Sequence, residues 1–456
     1  MPQVPFGTMN YQHASLPLSA QRMVNAYLEP APPAAKTPAA VVSCFGIKDY
    51  LIIGTGPMRG AEVVNNTLYV VSGAQLYSVS PTGQITALGS IPGSGQVFID
   101  GDGSHVMVTV NGPSYLYDGT TTSPIADADF PGYEWVAFLG GYMVGGPGDG
   151  RVYVNHTPFD PSNWDALDFA SAEAAPDDVV VGIVDHRELF LFGRQTTEVW
   201  YNSGDPAFPL TRTASGFMEI GCTSKYGPSK IDNSIFFPAT DGTVRRVNGY
   251  TPVRVSQTAM EQAIAKYAEQ EAVGNTWIEN GHSMYGLTYN EATWVYDVST
   301  QLWHERQSYG LANWRAQFIL RGNNRSYVGD RTSNRLGLLD GETFTEWSGP
   351  MVATVTSPTV PLKDHAYLEL VFEQGVGVVT GQGSDPKVMV KFSDDDGRSW
   401  SNEIWRSLGR IGDYKASARI NRLGATVVPG GGRIYQYQIS DPVRRTLIQA
   451  LTDRAA

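Results

Sequence analysis

Cysteine is nearly absent from the 456 residues. The two present, Cys44 and Cys222, are far apart in sequence and form no CxxC pair. Neither a disulfide framework nor a thiolate metal site is indicated, and both read as buried reduced thiols. The seven histidines are scattered, without HExxH or paired ligand spacing, so no metal and no cofactor are expected. Charge is sparse, at 17% Asp, Glu, Lys and Arg. A surface so poor in charge is expected to be partly covered by neighbours. A basic excess is missing altogether: net charge is −12, which argues against a tight electrostatic grip on nucleic acid. An acidic wall past which DNA slides without sticking fits that balance. No apolar run is long enough to span a bilayer, and the opening MPQVPFGTMNYQ lacks a basic segment followed by an apolar run. Synthesis in a cytoplasm and no membrane anchor are expected.

What is abundant is paired short strands. Seven times an apolar strand is followed eight to ten residues later by a second one. The pairs open at Leu68 and Leu76, Val106 and Tyr115, Tyr142 and Val152, Leu189 and Glu198, Ile235 and Val244, Met284 and Trp294, and Ser326 and Leu336. A constant short offset within each unit means a hairpin, and a period of roughly 40 to 50 residues means a repeated sheet. The 49 glycines and 28 prolines supply turns for such a design. Turn residues fall where the hairpins reverse, as at Ser72-Gly73, Asn111-Gly112 and Asp241-Gly242. The expected fold is all-β: a propeller of about seven blades over residues 49–349. A closed ring removes most free strand edges. Two ways of closing the first unit stay open: a strand from residues 41–53, or one lent by the last blade. Six blades also stay open.

Residues 1–48 lie outside the repeat. They read as an N-terminal arm ending in the proline-rich linker Pro30 to Pro38. One inserted helix is expected at 258–273. Thr258 and Glu261 have capping-box spacing, Met260, Ile264, Tyr267 and Ala268 recur at helical spacing, and Gly274 ends the run. It reads either as a helix lying on a propeller face or as a contact helix for another subunit. Residues 350–456 change character. Alternating runs at Tyr367–Phe372, Lys387–Phe392 and Ile434–Ile439 point to a small C-terminal β-sandwich.

Few motifs carry chemistry. Ser393, Asp395, Gly397 and Trp400 form an Asp-box-like turn of the kind seen in sialidase propellers. It occurs once, outside the repeats, and no arginine cluster accompanies it. A structural turn is the stronger reading; a sialidase-like glycosidase is the alternative. The run Asp100 to Ser104 reads as a polar turn in preference to a calcium loop, since no bidentate Glu follows at EF-hand distance. Gly54, Gly56 and Gly60 are followed by no GK[ST]. A third reading is a glycan-binding receptor, with Trp303, Trp314 and Trp347 stacking on sugars; blade packing competes for all three.

Three stretches carry a family resemblance. Gln21, Arg22, Asn25, Tyr27 and Glu29 match a Q-R-x-x-N-x-Y-x-E opening. Lys225 to Ser229, with Phe236-Phe237 and Asp241-Gly242, match a central stretch. The end carries SDDDGRSW at 393–400, LGRIGDY at 408–414, Arg422-Leu423-Gly424 and Ser440-Asp441-Pro442. Together they resemble the packaged-DNA stabilisation proteins, also called tail hub or nozzle proteins, of short-tailed phages. The departure is VVPGGG at 427–432, which leaves the last hairpin's register open. The resemblance implies a non-enzymatic virion tail protein with no catalytic residue. It implies six copies in a ring below the portal–adaptor complex, closing or lining the DNA exit channel and holding the genome until ejection. Non-specific passage of double-stranded DNA, and support of tailspikes and of a needle or plug, come with it. The residues expected at subunit contacts are Gln21, Arg22, Asn25 and Tyr27 in the arm and Met260, Ile264 and Tyr267 in the helix, with the sandwich as a further surface.

Overall fold

The computed structural model describes residues 3–172, 177–361, 364–426 and 432–454. Most of the stretch at 427–432 therefore lies outside the described residues.

Seven antiparallel sheets follow one another around a ring. The first six are four-stranded and drawn from consecutive sequence, beginning with Met58–Val64, Thr67–Ser72, Gln75–Val79 and Ile85–Ser90. Every hairpin seen in the sequence is the second and third strand of a blade. The second strands are buried on both faces, as in Val106–Thr109 and Ser234–Pro238, so they read as continuous apolar runs. Fourth strands such as Thr251–Arg254 are largely exposed and carry little signal.

The seventh blade closes the ring. Ala316–Gly322, Arg325–Asp330 and Arg335–Asp340 are completed by Gly46–Ile52 from the other end of the chain, with Leu338 opposite Lys48 and Asp340 opposite Gly46. The closing strand is therefore given to the last unit, and the first unit borrows nothing. Ile47, its second residue, is fully buried, packed with Trp277, Trp314, Val328 and Trp347.

The sandwich draws on both ends of the chain. One sheet orders Ala20–Val24, Ala353–Thr356, Ile434–Ile439, Lys387–Ser393 and Ile404–Ser407. The facing sheet orders Ala26–Pro30, Ala39–Ser43, Leu447–Arg454, Asp364–Phe372 and Ala418–Ala425. Met23, Val41, Val355, Leu368, Val390 and Tyr437 meet between them in one core. The N-terminal arm is thus built into the sandwich, contributing four strands, of which the short Tyr11–Gln12 pairs with Ala20–Val24. The proline-rich stretch is the loop of a hairpin that pairs Pro30 with Ala39 and Ala26 with Ser43. Proline suits a loop and a strand end, where its missing N–H is not needed.

The helix is shorter than its periodicity predicts. It runs Thr258–Ile264 and continues as one 3₁₀ turn, Ala265–Tyr267. Gln257 is its N-cap, and no capping-box bond forms. Glu261 instead accepts two bonds of 2.7 Å from Arg254 and one of 2.6 Å from Ser256. Gly274 lies in the next blade's inner strand, Val273–Glu279.

Candidate functional site

Gln21, Arg22, Asn25 and Tyr27 sit at an interface, but one inside the chain. Val24 pairs with Glu305, so the outer strand of the sixth blade runs directly into a sandwich sheet. Arg22 forks onto Glu305, with Nε and Nη2 at 3.0 and 2.7 Å from Oε2. Asn25, fully buried, donates to the carbonyls of Gln307 and Val352 at 2.8 and 2.9 Å and accepts from Gln307 N–H. Its φ of 53° is a conformation that asparagine tolerates. Tyr27 is 1% exposed and accepts from Asn280. Gln21 accepts from Thr8 and remains half-buried. Of the four, Gln21 and Arg22 keep surface within reach of another chain, whereas Asn25 and Tyr27 are spent within this one.

Beneath them lies a buried ionic group. Arg306, wholly buried, stands between Glu279 and Glu346 at 3.8 and 3.7 Å. It donates to the Phe45 carbonyl and stacks 4.2 Å from the Trp314 ring centre. Trp277 and Trp314 donate to the two carboxylates. Burial pushes both carboxyls up, and the guanidinium opposes it. Burial, with Arg306 nearby, also holds His304 neutral, down to about 3. Removing Arg306 would leave two buried carboxyls without their cation, so the group ties the sixth blade, the seventh blade and residues 44–47 together.

Met260 and Ile264 face inward, against Phe236, Tyr285 and Leu287, with Tyr267 half-buried at the margin. The helix lies on its own propeller. Trp303, Trp314 and Trp347 are 1 to 2% exposed, so they pack blades and cannot stack on a sugar.

The Asp-box-like turn is consumed in making itself. Ser393 Oγ donates to Asp395 at 2.7 Å and accepts from Gly397 N–H at 2.8 Å. Both Asp395 oxygens accept from Ser399, which holds that carboxyl down to about 2. Asp394 clasps the buried Arg433 at 2.7 and 2.8 Å, tying the turn to the neighbouring strand. Asp100 and Asp102 likewise bind backbone N–H groups of Gly101, Phe138, Ser104 and His105, which makes 100–104 a polar turn. Cys44 and Cys222 are free and buried, their thiols pushed up to about 12.

The feature the motifs did not announce is on the propeller axis. The segment Ser224 to Pro228 crosses it before entering the fifth blade. Tyr226 stacks on Phe98 at 4.7 Å and donates to the Gln96 carbonyl, and its own carbonyl accepts from Gly274 N–H at 2.8 Å. Gly274 admits that crossing: a Cβ there would stand 2.0 Å from the Gly227 oxygen. Lys225 reaches Asn111 at 2.7 Å. Tyr226 and Gln96 border two chambers. One, about 250 Å³, holds Glu62, Asp100 and Lys230. The other, about 410 Å³, holds Arg59 and Arg331. Burial, with Asp100 nearby, pushes Glu62 up to about 7. The family-like motif at Lys225 to Ser229 marked this place, but not that it crosses the axis.

A family model described as bacteriophage P22 Gp10, beta-propeller, matches residues 6–344, and a second, bacteriophage P22 Gp10, beta-sandwich, matches residues 358–450. No match was found among curated proteins. Similar solved structures include the computationally designed Ika8 protein (14% identity, 70% of this chain and 99% of that one, TM-score 0.40). The N-terminal domain of Nup159 matches at 9% identity (68% and 97%, TM-score 0.39). PorZ of Porphyromonas gingivalis, a component of its type-IX secretion system, matches at 11% (78% and 46%, TM-score 0.41).

Proposed function

The chain belongs to the bacteriophage P22 Gp10 family of tail-associated DNA-stabilisation proteins, and from that premise we propose that copies of it form a closed ring around the DNA exit path. The family makes it a structural protein of the virion tail. The finer reading is a hub or nozzle of six copies under the portal–adaptor complex. It closes or lines the channel, retains the genome until ejection, carries tailspikes and a needle or plug, and catalyses nothing. Assembly takes place in the host cytoplasm.

The observation that carries the geometry is the obstructed propeller axis. Ser224 to Pro228 cross the axis, with Tyr226 stacked on Phe98 and bonded to the Gln96 carbonyl, and leave no opening for a duplex whose major groove alone is ~12 Å wide. DNA therefore passes between copies, not through one. Copies enclosing a shared path need heterologous contacts that close by rotation. Rigidity supports the same reading, because the sheet shared by the sixth blade and the sandwich lets one copy bear load as a single piece. The net charge of −12 lets the duplex slide past. The proposal divides the labour between the propeller as wall and the sandwich, with the strands of residues 20–43 in its sheets, as joint.

Native mass spectrometry and electron microscopy of the protein mixed with its adaptor provide the test. A closed ring with the density of a duplex-wide hole between subunits is expected. Persistent monomers in that mixture overturn the reading.

A further inference from the structure

We propose that two oppositely charged patches at opposite ends of the molecule form the contact between successive copies: the loop 155–168 of the third blade docks on the loop 409–415 of the next copy's sandwich. This rests on the closed-ring reading above and names the surfaces that would make it.

The first patch joins the third and fourth strands of that blade, Arg151–Val154 and Phe169–Ser171. The loop is closed on itself, with Val154 N–H on the Asp168 carbonyl at 3.2 Å and His156 N–H on the Asn163 carbonyl at 2.9 Å. Yet Phe159 is exposed on it and Leu167 is 81% exposed. Phe159 sits at a φ of 61°, uncommon for a bulky side chain. Its N–H bond to the Gly141 carbonyl at 2.7 Å fixes it there, beside the ring of Phe138. The exposed Tyr201 and Asp205 extend the patch onto the fourth blade, because Asn202 between them donates to the Gly140 carbonyl at 3.2 Å. Charge in the loop has one sign. It holds Asp160, Asp165 and Asp168, and no Lys or Arg occurs between Arg151 and Arg187. Arg187 and Arg212 are exposed at the fourth-blade margin.

The second patch is its complement. Arg410 to Lys415 are all exposed. Tyr414 is 72% exposed, but neither it nor the exposed Ile411 is loose. A Cβ on Gly375 would stand 2.6 Å from the Tyr414 ring, and one on Gly377 would stand 3.0 Å from the Ile411 nitrogen. Val379, also exposed, follows on that supporting segment. Residues 404–426 carry five Lys or Arg against one Asp. Asp413 is taken by Lys415 N–H, and Arg419 stands 3.6 Å from Glu369, so Arg410, Lys415 and Arg422 set the sign of the exposed loop.

Rigidly supported apolar and aromatic side chains inside a charged rim are the chemistry of a protein contact, and opposite rims fix which surface meets which. The two patches cannot meet within one copy. The third blade is three places round the ring both from the sixth, whose sheet runs into the sandwich, and from the seventh, whose closing strand leaves it. Unlike patches at opposite ends of identical copies make a heterologous contact, which closes into a ring when the rotation permits. A second copy fits the sandwich loop better than duplex DNA does, because phosphates match the cations but not Ile411, Tyr414 and Val379.

The test is native mass spectrometry of the full chain with its adaptor, using two charge-reversed variants. One is Arg410→Glu with Lys415→Glu. The other is Asp160→Asn, Asp165→Asn, Ala166→Lys and Leu167→Lys, in which asparagine keeps the acceptor oxygens that Ser162 and Leu167 use. All six positions face solvent wholly or in part, so each variant is expected to melt within about 2 °C of the parent. Each alone is expected to weaken association between copies at least tenfold. An equal mixture of the two is expected to restore the ring, since each reversed patch then meets its reversed complement; a misfolded variant would not be rescued. A parent ring that survives both variants, or that the mixture fails to restore, overturns these surfaces and leaves the ring reading standing. No ring from the parent overturns the ring reading and this contact with it. Duplex binding lost in Arg410→Glu with Lys415→Glu, with assembly intact, gives the sandwich loop to DNA and overturns the contact.

Discussion

The propeller and the sandwich are both built of antiparallel strands, yet they are assembled by opposite rules. Six blades of the propeller are made from neighbours in sequence, and the seventh is completed from the far end of the chain by Gly46–Ile52. The sandwich is long-range almost throughout: Ala20–Val24 pairs with Ala353–Thr356, and Val41 with Leu447. A ring of local hairpins tolerates loss of distant segments, since most of its contacts are made within each unit and to the next. A sandwich drawn from both chain ends does not. The difference also explains why the two regions are held by different chemistry at their seam, where Asn25, Arg22 and the Glu279–Arg306–Glu346 group replace an apolar core with directed bonds.

Removing residues 3–43 should have the largest effect on this contrast. It takes four strands from the sandwich sheets and leaves the ring's closing strand in place. The sandwich transition is expected to vanish from the calorimetric trace, while a protease-resistant propeller survives. Simultaneous collapse of both would show that they form one cooperative unit. Asn25→Ala acts on the seam alone. It deletes two donor bonds and one acceptor at a fully buried position, and about 2 kcal/mol of stability is expected to be lost, read by urea unfolding; a loss under ~0.5 kcal/mol would mean the seam is not held there.

The smallest effect is expected from pH. His282, in the sixth blade, is bonded at 2.7 Å to Asp297 and at 2.7 Å to Glu29 of the sandwich. The bond to Asp297 raises its pKa above the ordinary 6.5, with Glu29 adding to it. A raised histidine contributes its full stabilisation below the unfolded value and loses it as pH rises through the folded one. Stability is therefore expected to decline shallowly from about pH 6.5 upward. His282→Gln should flatten that slope while leaving the rest of the profile unchanged.

The same contrast governs how much could be read in the chain beforehand. Leu68 with Leu76, or Met284 with Trp294, announce a hairpin because both strands are apolar and eight to ten residues apart. Seven blades and a sandwich followed from that and from runs such as Ile434–Ile439. Nothing local in Ala20–Val24 says that its partner is more than three hundred residues away, so the arm read as a segment docking on its own propeller or on a neighbour, and not as part of the sandwich. Glu261 had the spacing of a cap, but Arg254 and Ser256 compete for its oxygens and win. Met260 and Ile264 showed the periodicity that buries a helix face, and that face is covered by its own propeller. Tyr226 gave no sign of crossing the axis, because obstruction there depends on six other inner strands, Gly274 among them, leaving room.

The closing strand has a consequence for birth as well as for shape. Residues 46–52 leave the ribosome early, but their partner strand, 335–340, emerges almost three hundred residues later, on the order of half a minute at ~10 residues per second. Throughout that interval the nascent chain carries an unpaired β-edge at its front. Translation speed, or a holding chaperone, thereby becomes part of how faithfully each copy is made.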